Sequence, residues 1–193
     1  MAQSNNLHVV DWSKIPEPID DGGTRHLMDL RVPSISLVAT SGATVDLAAV
    51  AGRVVVYAYP RTGVPGQIGL VDDWDMIPGA RGCTPQSCAF RDHFSDLKLA
   101  GADAVFGLST QDADYQREMV ERLHLPFPVL SDAALALVQA MRLPTLGVGG
   151  QTLIKRLAWV QDAGVIKRVF YPVFPPDQNA ADVLAWLKDN RRS

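Results

Sequence analysis

The sequence predicts an α/β domain with a central mixed β-sheet and helices on both of its faces. Two nearly continuous apolar runs, Arg53 to Tyr59 and Asp103 to Ser109, have the composition of strands buried on both sides of a sheet. Helical periodicity separates them, which is the order of a β-α-β unit, and a hairpin followed by an amphipathic helix closes the chain. With 193 residues, 47% of them hydrophobic and 20% charged, the chain is long enough to bury one sizeable core.

Taken in order, residues 1–31 carry Pro16, Pro18 and Asp20-Asp21-Gly22-Gly23 without sustained periodicity. Two readings stand for them: an irregular extension draped over the domain, or a disordered tail. The domain proper is placed at 32–193. Val32-Pro33 introduces a short strand over Ile35 to Val38, which Ser41-Gly42 turns back towards Thr44 to Leu47. A helix begins near Gly82, with Phe90, Phe94 and Leu97 at helical spacing. Asp112 or Asp114 caps the next helix, whose apolar face is Tyr115, Met119, Val120 and Leu123, with Pro126 beyond its end. Pro128 to Leu130 is a short strand, and Ser131 is a candidate cap for a helix carrying Ala133, Leu135, Leu137 and Val138. Gly147-Val148-Gly149-Gly150 reads as a connector. Leu153 to Val160 and Val165 to Tyr171 form a hairpin around Asp162-Ala163-Gly164, and Ala180, Val183, Leu184 and Leu187 mark the last helix.

Both cysteines lie at the start of the helix near Gly82, in Gly82-Cys83-Thr84-Pro85-Gln86-Ser87-Cys88-Ala89-Phe90-Arg91-Asp92. At about 100° per residue Cys83 falls close to the apolar stripe. Cys88 lies about 140° away, beside Arg91, Asp92 and Ser95 on the polar side, and is expected to face water. An ideal helix separates Cα atoms i and i+5 by roughly 8.6 Å, beyond the ~7 Å that a disulfide spans. A bond between these thiols therefore requires the helix start to unwind. On position alone, Cys83 is equally a nucleophile activated by a helix N-terminus or a small buried hydrophobe. Cys88 is either its partner or an unrelated surface thiol.

Val54-Val55-Val56-Tyr57-Ala58-Tyr59-Pro60, followed by the cysteine-bearing run from Gly82 to Asp92, resembles the peroxiredoxins. Within them it is most similar to the Q-type, or bacterioferritin-comigratory-protein, branch, where a strand ending in Tyr-Pro precedes Gly-Cys-Thr-x-x-x-Cys-x-x-Arg-Asp at a helix start. The resemblance runs, with one insertion, from about Val32 to the C-terminus. It implies a thioredoxin-like fold and reduction of hydrogen peroxide and organic hydroperoxides without a cofactor. It also implies recycling by a thioredoxin or glutaredoxin-type reductant. Carried over residue by residue, it makes Cys83 the peroxidatic cysteine, oxidised to a sulfenic acid, and Cys88 the resolving cysteine of an intramolecular disulfide. Arg156 matches the arginine that lies on a strand beside the peroxidatic sulfur, and Pro60 the proline that shields the thiolate from water. Lys155, one residue from Arg156, would face the other side of that strand.

Two features depart from the family pattern. The gap from Pro60 to Cys83 is 23 residues, an insertion of about 16 at 64–81. A loop of this length is a functional lid or a mobile segment, and a pocket shield, a determinant of peroxide size and a reductase contact all stand as readings. The position three before Cys83 is Ala80, which lacks the family's hydroxyl; Thr62 is the candidate replacement.

Other function classes are disfavoured. The net charge of −3 gives no reason to expect nucleic-acid or membrane binding. No apolar run approaches about 20 residues and the opening Met1-Ala2-Gln3-Ser4-Asn5-Asn6 is polar, so a cytoplasmic protein is expected, as either monomer or homodimer. Cys83, Cys88 and His93 fan around the helix and cannot converge on one zinc ion. The rise of roughly 15 Å between Cys83 and His93 excludes a Cys–His hydrolase pair. His8, His26 and His124 have no motif context. A thioredoxin-type disulfide oxidoreductase would use Cys-x-x-Cys, whereas four residues intervene here. A thiol redox sensor without turnover is the remaining alternative.

Overall fold

The computed structural model of the chain describes residues 10–191, so the reading of His8 lies outside the described residues. In chain order the elements are β1 (Ser36–Ala39), β2 (Thr44–Asp46), β3 (Arg53–Ala58), α1 (Cys83–Asp92), α2 (Phe94–Leu99), β4 (Ala104–Ser109), α3 (Ala113–Leu123) and β5 (Val129–Ser131). They continue with α4 (Ala136–Met141), β6 (Thr145–Val148), β7 (Gln151–Ile154), β8 (Leu157–Asp162), β9 (Val165–Phe170) and α5 (Asn179–Asp189).

Every residue of β3 is buried, which places this strand near the centre of a seven-stranded sheet of order β2-β1-β5-β4-β3-β8-β9. It pairs parallel with β4 and antiparallel with β8, so the sheet is mixed. Alternation along β3 divides the core in two. Val55 and Tyr57 point to a cluster with Phe90 of α1, Leu97 of α2, Met119 of α3 and Val183 of α5. Val54, Val56 and Ala58 point to the opposite cluster with Leu137, Val138 and Met141 of α4. The fold is thioredoxin-like α/β with helices on both faces. No helix among the described residues is long and apolar enough to cross a membrane.

Four local expectations change. The helix expected to run on through Phe94 and Leu97 breaks at His93, where α1 ends and α2 begins. The strand expected from Leu153 to Val160 breaks at Lys155 and Arg156, because β7 pairs with β6 while β8 joins the main sheet. Gly147 to Gly150 is accordingly no connector but the turn and flanks of the β6–β7 hairpin. Ser131 ends β5 rather than capping a helix; the neighbouring Asp132 holds the start of α4, accepting from Leu137 N at 3.1 Å and Val138 N at 2.8 Å. For α3 the cap is Asp112, which accepts from Tyr115 N at 2.7 Å. The centre of the buried face of α3 includes the polar Gln116, and Tyr115 lies at its edge.

Residues 10–31 lie along the domain without forming a strand of the main sheet. Leu27 is fully buried in the α4-side cluster, and Trp12 Nε1 donates to Asp177 at 2.9 Å. Asp21 accepts from Lys155 Nζ at 2.6 Å and from the Tyr171 hydroxyl at 2.8 Å, which holds its carboxyl well below the usual carboxylate range. A depressed folded value means that this attachment is complete above the unfolded value near 3.8 and is lost as pH falls through the folded one.

Asp132 is 1% exposed and satisfies two backbone donors at the first turn of α4. Asp132→Ala is expected to lower unfolding stability by about 1–3 kcal/mol in urea titration, and Asp132→Asn by less. A midpoint equal to wild type for the alanine variant would show that water caps the helix equally well.

Candidate active site

The site is built where the sequence must pass from an irregular loop into α1. Gly82, the residue before the helix, has φ +107°, a left-handed conformation that favours glycine. A Cβ at Gly82 would also stand 2.4 Å from Pro176 Cγ and 2.9 Å from Trp12 Cη2. Only glycine fits both demands. Cys83 follows as the first helical residue, buried at 4% exposure, in the core cluster that also holds Tyr57 and Phe90. Its Sγ lies 3.5 Å from Ala80 O, to which the thiol donates.

Arg156 reaches this sulfur from the other side of the fold. Because the chain crosses between β7 and β8 at this point, Lys155 turns outward to Asp21 while Arg156, 2% exposed, turns inward. Nη2 lies 3.3 Å from Cys83 Sγ, 3.0 Å from Ala80 O, 3.0 Å from Arg81 O and 3.3 Å from Gly79 O. Two hydrogens for four acceptors means that these bonds are shared. Nη1 donates to Gln86 Oε1, and Gln86 Nε2 in turn donates to Asn179 Oδ1 at 2.9 Å. Nε is buried with no partner among the described residues. The sulfur is thus met by a guanidinium and by the N-terminal end of α1, both positive.

Cys83 opens on a cleft of about 210 Å³, lined also by Val10, Thr62, Trp74, Arg81 and Pro85. Thr62 therefore shares the cleft with the sulfur, although the two are 21 positions apart in the chain. Its hydroxyl donates to Gln111 Oε1 at 3.2 Å, and its backbone N–H and C=O bond the same side chain at 2.8 and 3.0 Å. With its proton engaged, the hydroxyl keeps lone pairs for a second partner. Pro60 is buried at the end of β3, where its carbonyl accepts from Ser109 Oγ at 3.2 Å, and it lines neither this cleft nor the next. Behind the sulfur, Arg156 borders a second cavity of about 290 Å³ with Pro18, Pro78, Leu146 and Tyr171. The segment 64–81 supplies Trp74 and Arg81 to the first cleft and Pro78 and Gly79 to the second. Among the described residues no group of three His, Cys, Asp or Glu side chains could hold a metal ion.

Cys88 is a free thiol and half-buried rather than facing water, packed on the core cluster through its side of α1. Burial pushes its pKa up, with Arg91 opposing. The sequence reading missed Gln86, Gln111 and Asn179. Gln86 had a legible signal, since three residues after Cys83 it falls on the same helical face, where a buried polar group needs a partner.

A thiol at a helix start, under an arginine, on a central mixed sheet defines a thiol protein of the thioredoxin-like class. Residues 29–184 match the family described as Redoxin. Peroxiredoxin Bcp of Escherichia coli (strain K12) is 32% identical over 168 residues, covering 82% of this chain and 93% of its own. Peroxiredoxin Q, chloroplastic, of Oryza sativa subsp. japonica is 33% identical over 158 residues, covering 81% of this chain. The chain spans 64% of that relative's length. The crystal structure of Peroxidoxin BcpB from Mycobacterium tuberculosis superposes with a TM-score of 0.68 at 25% identity, covering 86% of this chain and 98% of that one. The chain belongs to the Redoxin family and, within it, to the peroxiredoxins of the Q-type or bacterioferritin-comigratory-protein branch.

Because burial raises the Cys88 pKa, less of this thiol is ionised at a given pH than of an exposed one. In a Cys83→Ser background, iodoacetamide is expected to alkylate Cys88 several-fold more slowly at pH 7.5 in the folded protein than in urea at the same pH. Equal rates by mass spectrometry would place the thiol in full solvent contact.

Proposed function

We propose that this chain is a thiol-dependent peroxidase that reduces hydrogen peroxide and organic hydroperoxides through Cys83. The observation that carries this reading is the Cys83 sulfur 3.3 Å from Arg156 Nη2, at the start of α1 and open to a cleft. A sulfur anion there would contact a fixed cation at a helix start whose first N–H groups lack intrahelical partners, and both suit the charge that develops on a peroxide oxygen. The sulfur attacks one peroxide oxygen, the O–O bond breaks, and the alkoxide or hydroxide takes up a proton and leaves as alcohol or water. Cys83 is left as a sulfenic acid. Thr62, its hydroxyl proton engaged by Gln111, accepts from the hydroperoxide O–H and orients it. Pro60, buried at the end of β3 and lining neither cavity, serves by holding the chain that brings Thr62 to the cleft rather than by covering the sulfur.

Cys88 then resolves the sulfenic acid as an intramolecular disulfide. In α1 as it stands the two Cα atoms lie roughly 8.6 Å apart by helical geometry, so the first turns must unwind. A thioredoxin or glutaredoxin-type dithiol reduces the bond and returns the helix. Supporting this reading, both thiols are free and α1 is continuous between them.

Cys83→Ser is expected to abolish peroxide consumption in a thioredoxin-coupled assay while the protein stays folded, with a cooperative urea transition. Turnover near wild type in that variant would sink the assignment. Oxidation of one equivalent without turnover would instead indicate a sensor.

Thr62→Val is expected to slow Cys83 oxidation in stopped flow by an amount equivalent to about 1–3 kcal/mol, the range for one lost polar partner in a buried site. An unchanged rate would assign orientation of the peroxide to backbone groups.

A further inference from the structure

Besides Gln86, a second buried polar anchor of α1 lies between the two cysteines. Tyr57, fully buried on β3, donates its hydroxyl to Ser87 Oγ at 3.1 Å, and its ring stacks on Phe90 with centroids 4.3 Å apart and planes 8° from parallel. Ser87 is itself fully buried and follows Cys83 by four positions, immediately before Cys88. The place for the phenol is kept open by β4. Gly107 is the register partner of Tyr57, and a Cβ there would stand 3.0 Å from the phenol oxygen. Burial pushes the phenol pKa well up, so the hydroxyl stays a neutral donor throughout the working pH range. The neighbouring Tyr59 is equally buried, but its hydroxyl donates to Gln116 on α3 and makes no bond to α1.

We propose that Tyr57 is a positioning residue for disulfide formation: through Ser87 it holds α1 wound and so limits how fast Cys88 reaches the oxidised Cys83. The inference rests on the peroxidase reading. In that step the Cys88 thiolate attacks the sulfenic sulfur of Cys83, the S–S bond forms and the S–O bond breaks. The departing hydroxide combines with the proton released by Cys88 to give water, so no further oxidant or reductant enters. Ser87 sits inside the stretch that must rearrange and cannot stay at Tyr57 while its neighbour moves to Cys83. Each opening therefore leaves a buried phenol hydroxyl without its partner, and the wound state is favoured by the bond that would be lost.

The test is a peroxide pulse on the reduced protein, followed by stopped-flow fluorescence and acid-quench mass spectrometry. Two phases separate cleanly: Cys83 oxidation, which scales with peroxide concentration, and disulfide formation, which does not. Tyr57→Phe keeps the ring and removes only the hydroxyl. It is expected to speed the second phase about 3- to 10-fold and to leave the first unchanged. Ser87→Ala tests the same bond from the helix side and is expected to give the same acceleration, with the double variant no faster than either single one. Tyr59→Phe, which loses a phenol hydroxyl from the same strand, should resolve at the wild-type rate. Wild-type resolution rates in both Tyr57→Phe and Ser87→Ala, alongside a confirmed Cys83–Cys88 bond, would overturn the inference. A wild-type protein that is oxidised but forms no Cys83–Cys88 bond would overturn the resolving step of the peroxidase reading, and this inference with it.

Discussion

The buried guanidinium of Arg156 is the interaction on which the site depends. It fixes the three carbonyls of Gly79, Ala80 and Arg81, so the loop before α1 has one way to enter the helix. The same group reaches Cys83 Sγ, and through Gln86 it is tied to Asn179 at the start of α5. A cation this buried is costly unless its donors are met, and here backbone carbonyls, an amide oxygen and a sulfur meet them. Lysine could not replace it, because one ammonium cannot span a helix side chain and a loop of carbonyls at once.

Segments outside the regular elements complete the surroundings of the sulfur. Val10 and Trp74 wall the cleft, Trp12 packs against Gly82, and Pro18 stands opposite Gly79. The chain from 10 to 31 and the segment 64–81 therefore meet around one short loop from both sides. Charge and hydrogen bonding add to this packing, among them the Asp21 links to Lys155 and Tyr171, the Trp12 link to Asp177, and the Arg81–Asp75 and Lys167–Asp29 ion pairs. Val10 and Trp74 thus shape the cleft at Cys83 without bonding its sulfur.

Much of this was legible in the sequence, and the exceptions share a cause. The Val and Tyr run of β3 could only be a buried strand, and the spacing of Phe90 from Cys83 put the thiol on the core face. The break at Arg156 was not legible, because Leu153 to Val160 is apolar on both sides of it; pairing of β7 with β6 decided the matter. The glycines at 147, 149 and 150 concealed a hairpin by resembling a linker. Cys88 was expected in water since its helical neighbours are charged, yet it packs on the core cluster, which helical angle alone does not report. Gln86, Gln111 and Asn179 were missed because a polar residue in a buried place declares itself only through its partner, and the partners come from distant parts of the chain.

The break at His93 has a kinetic consequence. It makes α1 a separate piece of ten residues, while α2 keeps its own turn and its own buried Leu97. A helix of this size re-forms on the microsecond scale or faster, since even peptides of about 20 residues relax in roughly 0.1–1 μs. Thiol–disulfide exchange is far slower. In the proposed cycle, α1 would therefore re-form after reduction faster than the next thiol–disulfide exchange, so re-formation of the helix, unlike its opening, sets no limit on the pace.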